Sequence, residues 1–437
     1  MTTIRRTPTT AGPTTGTASA ASGFGWAGVS LAVFTAAWGG NEFTPLLVMY
    51  RQSSHLSAVV VDTLLFTYVL GIVPALLIGG PLSDRFGRRP LMLPSPVIAA
   101  AGSVLLAAGP QSVTMLALGR VLSGVALGLA MAVGGTWIKE LSDRQGASVT
   151  AGARRAALSL TAGFGVGAGV ASVLAQWAPW PEQLSYLINI AFAVVSLILL
   201  LRTPETRFAD PGARSLRDDL AIPAARKPRF WLVVAPTAPW VFGTCAVAYA
   251  VIPALLTEST SSWPIVFAGL CCVLGLTAGF FVQSLGKRID RPGSVRAMVT
   301  AMLLVALGMC LAAIAADIAT IPMALVAATV LGCGYGMTLI SGLLEVQRLA
   351  GPNDLAGLTA VFYGLTYIGF ASPAVMAAID SGVTGASYPM MLYVGAGVAL
   401  LCLVIVVLAN RSSIAGPHTT ATIGREQPVT LDGDPAA

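Results

Sequence analysis

Long apolar runs, each of about 20 residues, recur along almost the whole chain and are separated by short polar breaks. Each run is long enough to cross a hydrocarbon core of about 30 Å as an α-helix. Twelve runs of this kind predict an all-α integral membrane protein. The predicted spans cover residues 25–50, 57–79, 90–109, 113–138, 150–176, 183–201, 230–256, 263–285, 295–316, 320–344, 355–379 and 387–409.

The composition agrees with this pattern. Of the 437 residues, 55% are hydrophobic and only 10% are charged, whereas soluble domains carry roughly 25% charged residues. The net charge of +6 does not indicate a nucleic-acid partner, because the basic residues lie in short loops between apolar runs. The lipid bilayer is therefore the expected surrounding, and we expect no nucleic acid.

The positions of Lys and Arg orient the chain. If the N-terminus lies inside, 23 of the 25 basic residues fall in inner segments, Arg51 lies outside and Arg120 lies within a span. The positive-inside rule then predicts that both termini are cytoplasmic. The 22 arginines against three lysines, with abundant Ala and Gly, are typical of a GC-rich bacterium and so favour the plasma membrane.

Polar segments divide the chain into five parts. Residues 1–22 and 410–437 lack apolar runs and are predicted to be disordered cytoplasmic tails. Residues 202–229 form a charged linker between a six-span N-terminal half, 23–201, and a six-span C-terminal half, 230–409.

A compact charge motif follows the second span, where Gly79 to Met92 spell GGPLSDRFGRRPLM. The sequence here resembles the major facilitator superfamily, whose loop at this place carries the pattern G-x-x-x-D-R-x-G-R-R. The residues that match it are Gly80, Asp84, Arg85, Gly87, Arg88 and Arg89. The drug:proton antiporters with twelve helices are the branch that the chain is expected to resemble.

The same motif is repeated 199 residues later. Residues 279–288, GFFVQSLGKR, align without gaps on residues 80–89, although Gln283 replaces the acidic residue. The chain is therefore a duplicated six-helix unit. The resemblance implies the major facilitator fold, with two pseudo-symmetric halves and a substrate site between them near the membrane midplane.

Three ionisable residues are candidates for proton coupling. Arg120 lies in a similar L-x-x-x-R-x-x-x-G pattern of the fourth span, and a buried Arg needs a partner or a water-filled cavity. Glu42 and Asp62 lie at about the same depth, so Arg120 can neutralise one carboxylate and the other can carry a proton. We favour Glu42 as the carrier. The alternatives are a static ion pair and, for Arg120, a side chain that reaches the outer interface.

Two further groups of residues are expected to act in transport. Asp84 and Arg88, with Glu140 at the inner end of the fourth span, are predicted to form a gate that holds the halves together when the cavity opens outward. The C-terminal half has no charge deep in a span but is rich in aromatic residues. The predicted cavity residues, for which helix packing is the alternative, are Asn41, Trp240, Phe242, Tyr249, Tyr335, Tyr363 and Tyr367.

These features favour a proton-coupled exporter of small apolar or aromatic, drug-like compounds. The alternative is a proton-coupled importer of an organic acid, and a non-transporting sensor is a more remote one. Arg120 would suit an anionic substrate and an unpaired Glu42 a cationic one.

The fifth span lacks the Gly-Pro pair usual in drug:proton antiporters. WIKELSD (137–143) and LRTPETR (201–207) resemble motifs of sugar porters, but the spans offer few amides for a sugar.

The sequence gives no indication of catalysis. It contains no HExxH motif, no spaced cysteine pairs and no phosphate-binding loop. We therefore expect no enzyme activity, no metal and no cofactor. The expected partners are a small-molecule substrate, protons and lipid, and the expected state is a monomer.

The predicted topology can be tested with a single cysteine placed at Ser215 in the linker. We expect a membrane-impermeant thiol reagent to label it only after the cells are permeabilised, because the linker is predicted to be cytoplasmic. The chain without the added cysteine gives the background. Labelling from outside intact cells would invert the predicted orientation.

Overall fold

The computed structural model describes residues 25–53, 56–148, 150–208, 222–291, 293–351, 354–382 and 385–414, and those residues contain helices but no strand. The tail at 1–22, most of the tail at 410–437 and position 215 lie outside the described residues. At the C-terminal end, the last helix continues to Ile414, past the predicted end of its half at residue 409.

The N-terminal half contains nine helices among its described residues. They are α1 (Gly25–Asn41), α2 (Phe43–Ser53), α3 (Ala58–Phe86), α4 (Arg88–Met92), α5 (Pro94–Ala108), α6 (Val113–Leu129), α7 (Gly135–Arg144), α8 (Ala151–Trp177) and α9 (Leu184–Leu201). A π-helical turn, Ala130–Gly134, joins α6 to α7 without a break. These nine helices make six passes through the bundle.

The C-terminal half repeats this plan. Its helices are α10 (Pro239–Ala246), α11 (Ile252–Leu255), α12 (Pro264–Ile289), α13 (Arg296–Ile318), α14 (Ile321–Leu349), α15 (Leu355–Tyr367), α16 (Ser372–Asp380) and α17 (Tyr388–Ile414). Short π-helical turns (Phe230–Val234 and Val247–Val251) and 3-10 turns (Pro223–Arg226 and Ile368–Ala371) precede or connect them.

Eleven continuous helical segments of the described residues are long and apolar enough to span a membrane. The remaining predicted span, 25–50, is divided into α1 and α2 by a break at Glu42. Pro45 explains the break, because proline has no N–H for the carbonyl of Asn41 and its ring crowds that carbonyl. The prediction of twelve spans in two six-helix halves is confirmed, with the first span interrupted.

Glycines bring the central helices of each half into backbone contact. A Cβ atom on Gly124 of α6 would lie 2.0 Å from the carbonyl oxygen of Tyr68 in α3. In the C-terminal half, a Cβ on Gly336 of α14 would lie 2.0 Å from the carbonyl oxygen of Gly279 in α12. Helices in lipid associate through such close packing. Both halves therefore bring two of their spans into contact through glycines.

The surface of the bundle is apolar and the interior contains the polar side chains. Large hydrophobic residues such as Leu70, Val104, Val194 and Leu401 are exposed on the outer faces of their helices. Soluble proteins rarely expose so much contiguous apolar surface, whereas lipid solvates it. The chain is a multi-pass membrane protein.

Helix α8 of the N-terminal half contacts α12 of the C-terminal half near the N-terminal end of α12. Gln176, at the end of α8, accepts hydrogen bonds from the first backbone N–H groups of α12, at 2.9 Å from Ile265 N and 3.4 Å from Val266 N. Those N–H groups have no partner within their own helix. A side chain of one half thus caps a helix of the other, on the side of the bundle that contains Asp62.

Close packing at Gly124 and Gly336 predicts the effect of adding a methyl group. Gly124→Ala and Gly336→Ala should each destabilise the protein by about 1 to 3 kcal/mol, because a carbonyl oxygen occupies the space that the methyl needs. Gly165→Ala is the control, since no atom lies within 4 Å of its Cβ position. Thermal unfolding in detergent measures the difference. Equal midpoints for all three variants would contradict the packing account.

Candidate substrate and coupling site

A small buried cavity of about 20 Å³ lies between the halves, with space for about one water molecule. We call it the central cavity. Its polar lining consists of Asn41, Thr44 and Arg120 with three tyrosines, and the rest of the wall is apolar. The lining residues are Gly40, Asn41, Thr44, Leu65, Tyr68, Arg120, Phe164, Phe242, Tyr249, Leu276, Tyr335 and Phe370.

Arg120 is fully buried in the wall of this cavity. Its Nη1 donates a hydrogen bond to the carbonyl oxygen of Gly40 at 3.2 Å, which the break after α1 places beside it. The guanidinium carbon lies 4.7 Å from the ring centre of Phe43 and 4.6 Å from that of Tyr68. Nε and Nη2 have no hydrogen-bond partner. Aromatic rings and one carbonyl therefore stabilise a cation that has two free donors.

Glu42 occupies the break in the first span and is also fully buried. Its Oε2 accepts hydrogen bonds from Ser185 Oγ at 2.6 Å and Trp38 Nε1 at 2.8 Å, and Oε1 has no partner. In the described part of the chain, Glu42 forms no ion pair with Arg120 within 4.0 Å. The two side chains are near neighbours, but the predicted Glu42–Arg120 pair is not formed in this conformer.

Asp62 does not share this site. Its Oδ1 accepts a hydrogen bond from Arg51 Nη2 at 2.5 Å, so its ion-pair partner is the basic residue at the end of α2. The sequence placed Asp62 at about the depth of Arg120, but in this conformer its ion-pair partner is Arg51. Arg51 lies eleven residues before Asp62, and the short loop between α2 and α3 brings the two together.

Asn41 fixes the first span to both halves. Its amide Nδ2 donates to the carbonyl oxygen of Phe164 at 3.0 Å and lies 3.3 Å from Cys272 Sγ, and its Oδ1 accepts from Thr44 Oγ1 at 3.0 Å. These contacts use most of the hydrogen-bonding capacity of the Asn41 side chain, which lines the central cavity.

The predicted aromatic residues are placed in four different ways. Phe242, Tyr249 and Tyr335 line the central cavity. Tyr363 lines a second cavity, and Tyr367 lies between the two. Trp240 lines neither of them and packs against the apolar core. The sequence analysis missed Tyr68 and Phe370, although Phe370 follows Tyr367 by three residues and so shares a helix face with it.

The second cavity is larger, about 420 Å³, and we call it the open cavity. It lies between α3, the α6–α7 segment, the start of α8 and the start of α15, at the end of the bundle that contains Arg88. Thr136, Ala157 and Ala356 line it and are exposed, so the cavity reaches the surface there. None of its lining residues is charged.

A layer of four aromatic residues separates the two cavities. Tyr367 stacks on Phe242 with ring centres 4.4 Å apart, and its hydroxyl lies 3.5 Å from the sulfur of Met131 in the opposite half. Phe242 in turn stacks on Phe370, and Tyr68 contacts Tyr367 edge-on. Met131 lines the open cavity, whereas Phe242 lines the central one. A molecule that passes between the cavities must displace this layer.

The structure brings together the three predicted gate residues. Arg88 contacts Asp84 at 2.8 Å and Glu140 at 2.9 Å, and its Nη1 donates to Ser83 Oγ at 2.6 Å. Glu205, which the sequence analysis did not select, accepts the backbone N–H groups of Arg88 and Arg89 at 3.0 and 2.8 Å. This cluster, which we call the Arg88 cluster, joins residues 83–89 to Glu140 and Glu205. None of these contacts reaches the C-terminal half, so the predicted contact that holds the halves together is not formed in this conformer.

The other residues of the charge motif have simpler roles in the structure. Gly87 has a φ of 102°, which an L side chain rarely adopts, and a Cβ there would meet Glu205. Arg85 lies over the ring of Phe86 at 5.7 Å. Gly80 lines the open cavity.

The C-terminal half contains a matching cluster that the sequence analysis missed. Glu345 near the end of α14 accepts from Arg229 Nε at 2.5 Å and from Arg348 Nη1 at 3.2 Å, and Arg348 also pairs with Asp290. Glu345 occupies the place in its half that Glu140 occupies in the other. In the repeated motif Gln283 stands where the first half has Asp84, and Asp290 provides the acidic residue of this cluster instead. The available signal was helix position, because Glu140 and Glu345 lie at the same distance from the ends of their helices, at Arg144 and Leu349.

The chain makes twelve passes through the bundle, in two similar halves with a cavity between them. This architecture defines a membrane transporter rather than an enzyme. The family model of the Major Facilitator Superfamily matches residues 29–373, and this chain belongs to that superfamily. The predicted major facilitator fold is thereby confirmed.

Curated relatives match only parts of the chain. A D-xylose transporter of Levilactobacillus brevis is 40% identical over 80 residues, which are 18% of this chain and 17% of that protein. A triacylglyceride transporter of Mycolicibacterium smegmatis is 34% identical over 134 residues, 30% of this chain and 23% of that protein. The chain thus spans about a fifth of the length of these relatives.

Solved structures match over nearly the whole chain. The nucleoside transporter NupG has a TM-score of 0.70 at 14% identity and covers 90% of this chain and 100% of that one. A POT family transporter in complex with 5-aminolevulinic acid has a TM-score of 0.70 at 12% identity, covering 89% of this chain and 96% of that one. At such identities the likeness concerns the fold alone.

The Arg88 cluster predicts the effect of removing one charge. Asp84→Asn should slow substrate turnover severalfold and change substrate binding less, because the cluster stabilises one conformer. Each exposed pair contributes only about 0 to 1 kcal/mol, but a small shift changes the populations of two conformers. Initial rates and binding measured in proteoliposomes separate the two effects. Asp143→Asn, which changes an exposed acidic residue of α7, is the control. Turnover in Asp84→Asn equal to that of the unmodified chain would remove the gate assignment.

Proposed function

We propose that this protein is a proton-coupled secondary transporter of small, largely apolar or aromatic compounds that works by alternating access. The observation that carries the proposal is the buried carboxyl of Glu42, set in a helix break beside an equally buried Arg120. Gaining or losing one proton there changes the net charge of the buried site by one. Because an unbalanced charge in hydrocarbon is costly, the two protonation states should favour different conformers.

The hydrogen bonds of Glu42 support this role. Its partners, Trp38 and Ser185, are neutral side chains on α1 and α9, so they can hold either form of the carboxyl. Asp62, in contrast, already has the charged Arg51 as its partner. Glu42 is therefore the better candidate for the proton carrier, and we assign Asp62 to a fixed ion pair.

Alternating access is supported by the difference between the two ends of the bundle. The open cavity reaches the surface at the Arg88 end, while the residues of α2 from Phe43 to Tyr50 are all buried. Tyr50 and Tyr186 share a hydrogen bond of 2.8 Å in that buried region. The conformer is thus open at one end, and with the cytoplasmic orientation predicted from the basic residues it faces inward.

The walls of the cavities support an apolar or aromatic substrate. The open cavity has no charged lining residue, and aromatic side chains separate it from the central one. A sugar would need many hydrogen-bonding groups, and the amide of Asn41 is already used. Of the molecules named for the curated relatives, a triacylglyceride suits such walls better than D-xylose does.

A second candidate is the import of an organic acid, and one observation favours it over drug export. Arg120 lines the central cavity, whereas Glu42 does not. A cationic drug would need the carboxylate in the wall, while an organic acid would need the guanidinium. The assignment to the drug:proton antiporter branch stays a prediction from the sequence.

Glu42→Gln tests the proton carrier, because glutamine is isosteric with the protonated acid but cannot ionise. We expect it to abolish accumulation driven by an imposed pH gradient in proteoliposomes, by at least about tenfold, while downhill exchange of the same substrate remains measurable. The substrate is chosen first from a panel of labelled aromatic and apolar compounds.

Asp62→Asn is the matched control, since it removes a buried carboxylate at the same end of the bundle. It should retain coupled accumulation even if the protein becomes less stable. Coupled accumulation that survives in Glu42→Gln and is lost in Asp62→Asn would transfer the carrier role to Asp62. Survival in both variants would refute proton coupling through either residue.

A further inference from the structure

The unpartnered donors of Arg120 form a recognisable geometry. Nε and Nη2 lie on the same edge of the guanidinium, where their two N–H bonds are nearly parallel, and both lack a partner. A carboxylate binds to this edge with one oxygen on each nitrogen. The remaining group, Nη1, is used by the carbonyl of Gly40. Within the described part of the chain, Arg120 thus has one edge whose two donor nitrogens are unpartnered and match the geometry of a carboxylate.

The surroundings of Arg120 restrict how such a carboxylate can approach. The rings of Phe43 and Tyr68 contact the guanidinium at 4.7 and 4.6 Å and take part in cation–π interactions. An approach from the edge leaves both rings in place. The aromatic walls of Phe242 and Tyr335 then provide contact area for a ring attached to the carboxylate.

The charge balance of the site links this anion to the proton. Buried titratable groups that act on Arg120 are Glu42 and the phenols of Tyr50, Tyr68 and Tyr186. Two states leave no unbalanced charge: ionised Glu42 with Arg120 and no ligand, and protonated Glu42 with Arg120 and a bound carboxylate. The other combinations leave one net charge in a low-dielectric interior.

The geometry points to Arg120 as the subsite for the acid group of a small aromatic carboxylate, which binds as the anion together with one proton on Glu42. This inference rests on the proposed proton-coupled function and names its substrate class. The anion forms two hydrogen bonds to Nε and Nη2, and the proton adds to the Glu42 carboxylate, so the loaded site is neutral. Substrate and proton then move in the same direction.

The space available sets one further requirement. The central cavity holds about one water molecule in this conformer, at about 20 Å³. A carboxylate can reach Arg120 from the open cavity only if the stack of Tyr367 on Phe242 opens. Ligand binding should therefore be accompanied by movement of this aromatic layer.

Three probes of similar shape and different charge test the subsite: benzoate, benzamide and benzylamine. Binding is measured on the purified full chain in nanodiscs by calorimetry and by thermal stabilisation. We expect benzoate to bind at least about tenfold more tightly than the neutral amide and the cationic amine, because only a carboxylate fits the two parallel donors. Equal affinities of benzoate and benzamide, or no binding of either, would overturn the inference.

Arg120→Lys keeps the positive charge but removes the two parallel donors, and it should weaken benzoate binding by about tenfold or more. Arg51→Lys is the matched control, because Arg51 belongs to the fixed pair with Asp62, and its benzoate affinity should stay within about twofold. Size-exclusion chromatography verifies that both variants are folded. If Arg120→Lys binds benzoate with the affinity of the unmodified chain, the edge geometry of the guanidinium is not the basis of recognition.

Proton uptake separates this inference from the proposed function. In weakly buffered solution with a pH-indicating dye, saturating benzoate should cause the unmodified chain to take up close to one proton per molecule bound, and Glu42→Gln should bind benzoate with no uptake. Uptake that persists in Glu42→Gln refutes Glu42 as the carrier, while benzoate selectivity would still support the subsite. Normal proton coupling without selectivity for the anion refutes the subsite alone.

Discussion

Burial of charge in hydrocarbon is the constraint on which the rest of this structure depends. An ionised side chain inside the bundle needs an opposite charge, a set of hydrogen bonds or aromatic faces. Asp62 is balanced by Arg51, and Glu345 by Arg229 and Arg348. These ion pairs lie at the two ends of the bundle, where water can reach the arginines. Charged groups are concentrated there for that reason.

Arg120 and Glu42 are the departures from this arrangement at the centre of the molecule. Each is fully buried, each has hydrogen bonds to neutral groups, and each retains an atom without a partner. Breaks in helical structure lie close to them: α1 ends at Asn41, and π-helical turns interrupt the seventh span around Tyr249. Broken helices near the midplane are where a transporter can bind a ligand and rearrange, because freed backbone groups face a cavity rather than lipid.

The duplicated halves have diverged in chemistry while keeping their packing. Both bring two helices into backbone contact at glycines, and both place an acidic residue paired with arginine at the Arg88 end. The charged residue that lines the central cavity, Arg120, belongs to the N-terminal half, and the C-terminal half contributes aromatic rings such as Phe242 and Tyr335. In the proposed mechanism the N-terminal half therefore supplies the proton carrier and the carboxylate subsite, and the C-terminal half supplies aromatic contacts.

The sequence by itself determined the twelve spans, the repeat and the charge cluster at Asp84 and Arg88, because these depend on run length and on residues close together in the chain. It also identified Glu42 and Arg120, since a charge within an apolar run is conspicuous. Only the tertiary structure decided the partners. Ser185 lies 143 residues from Glu42, and Gly40 lies 80 residues from Arg120. Which helix faces meet is set by packing of the whole bundle, and no local pattern encodes it.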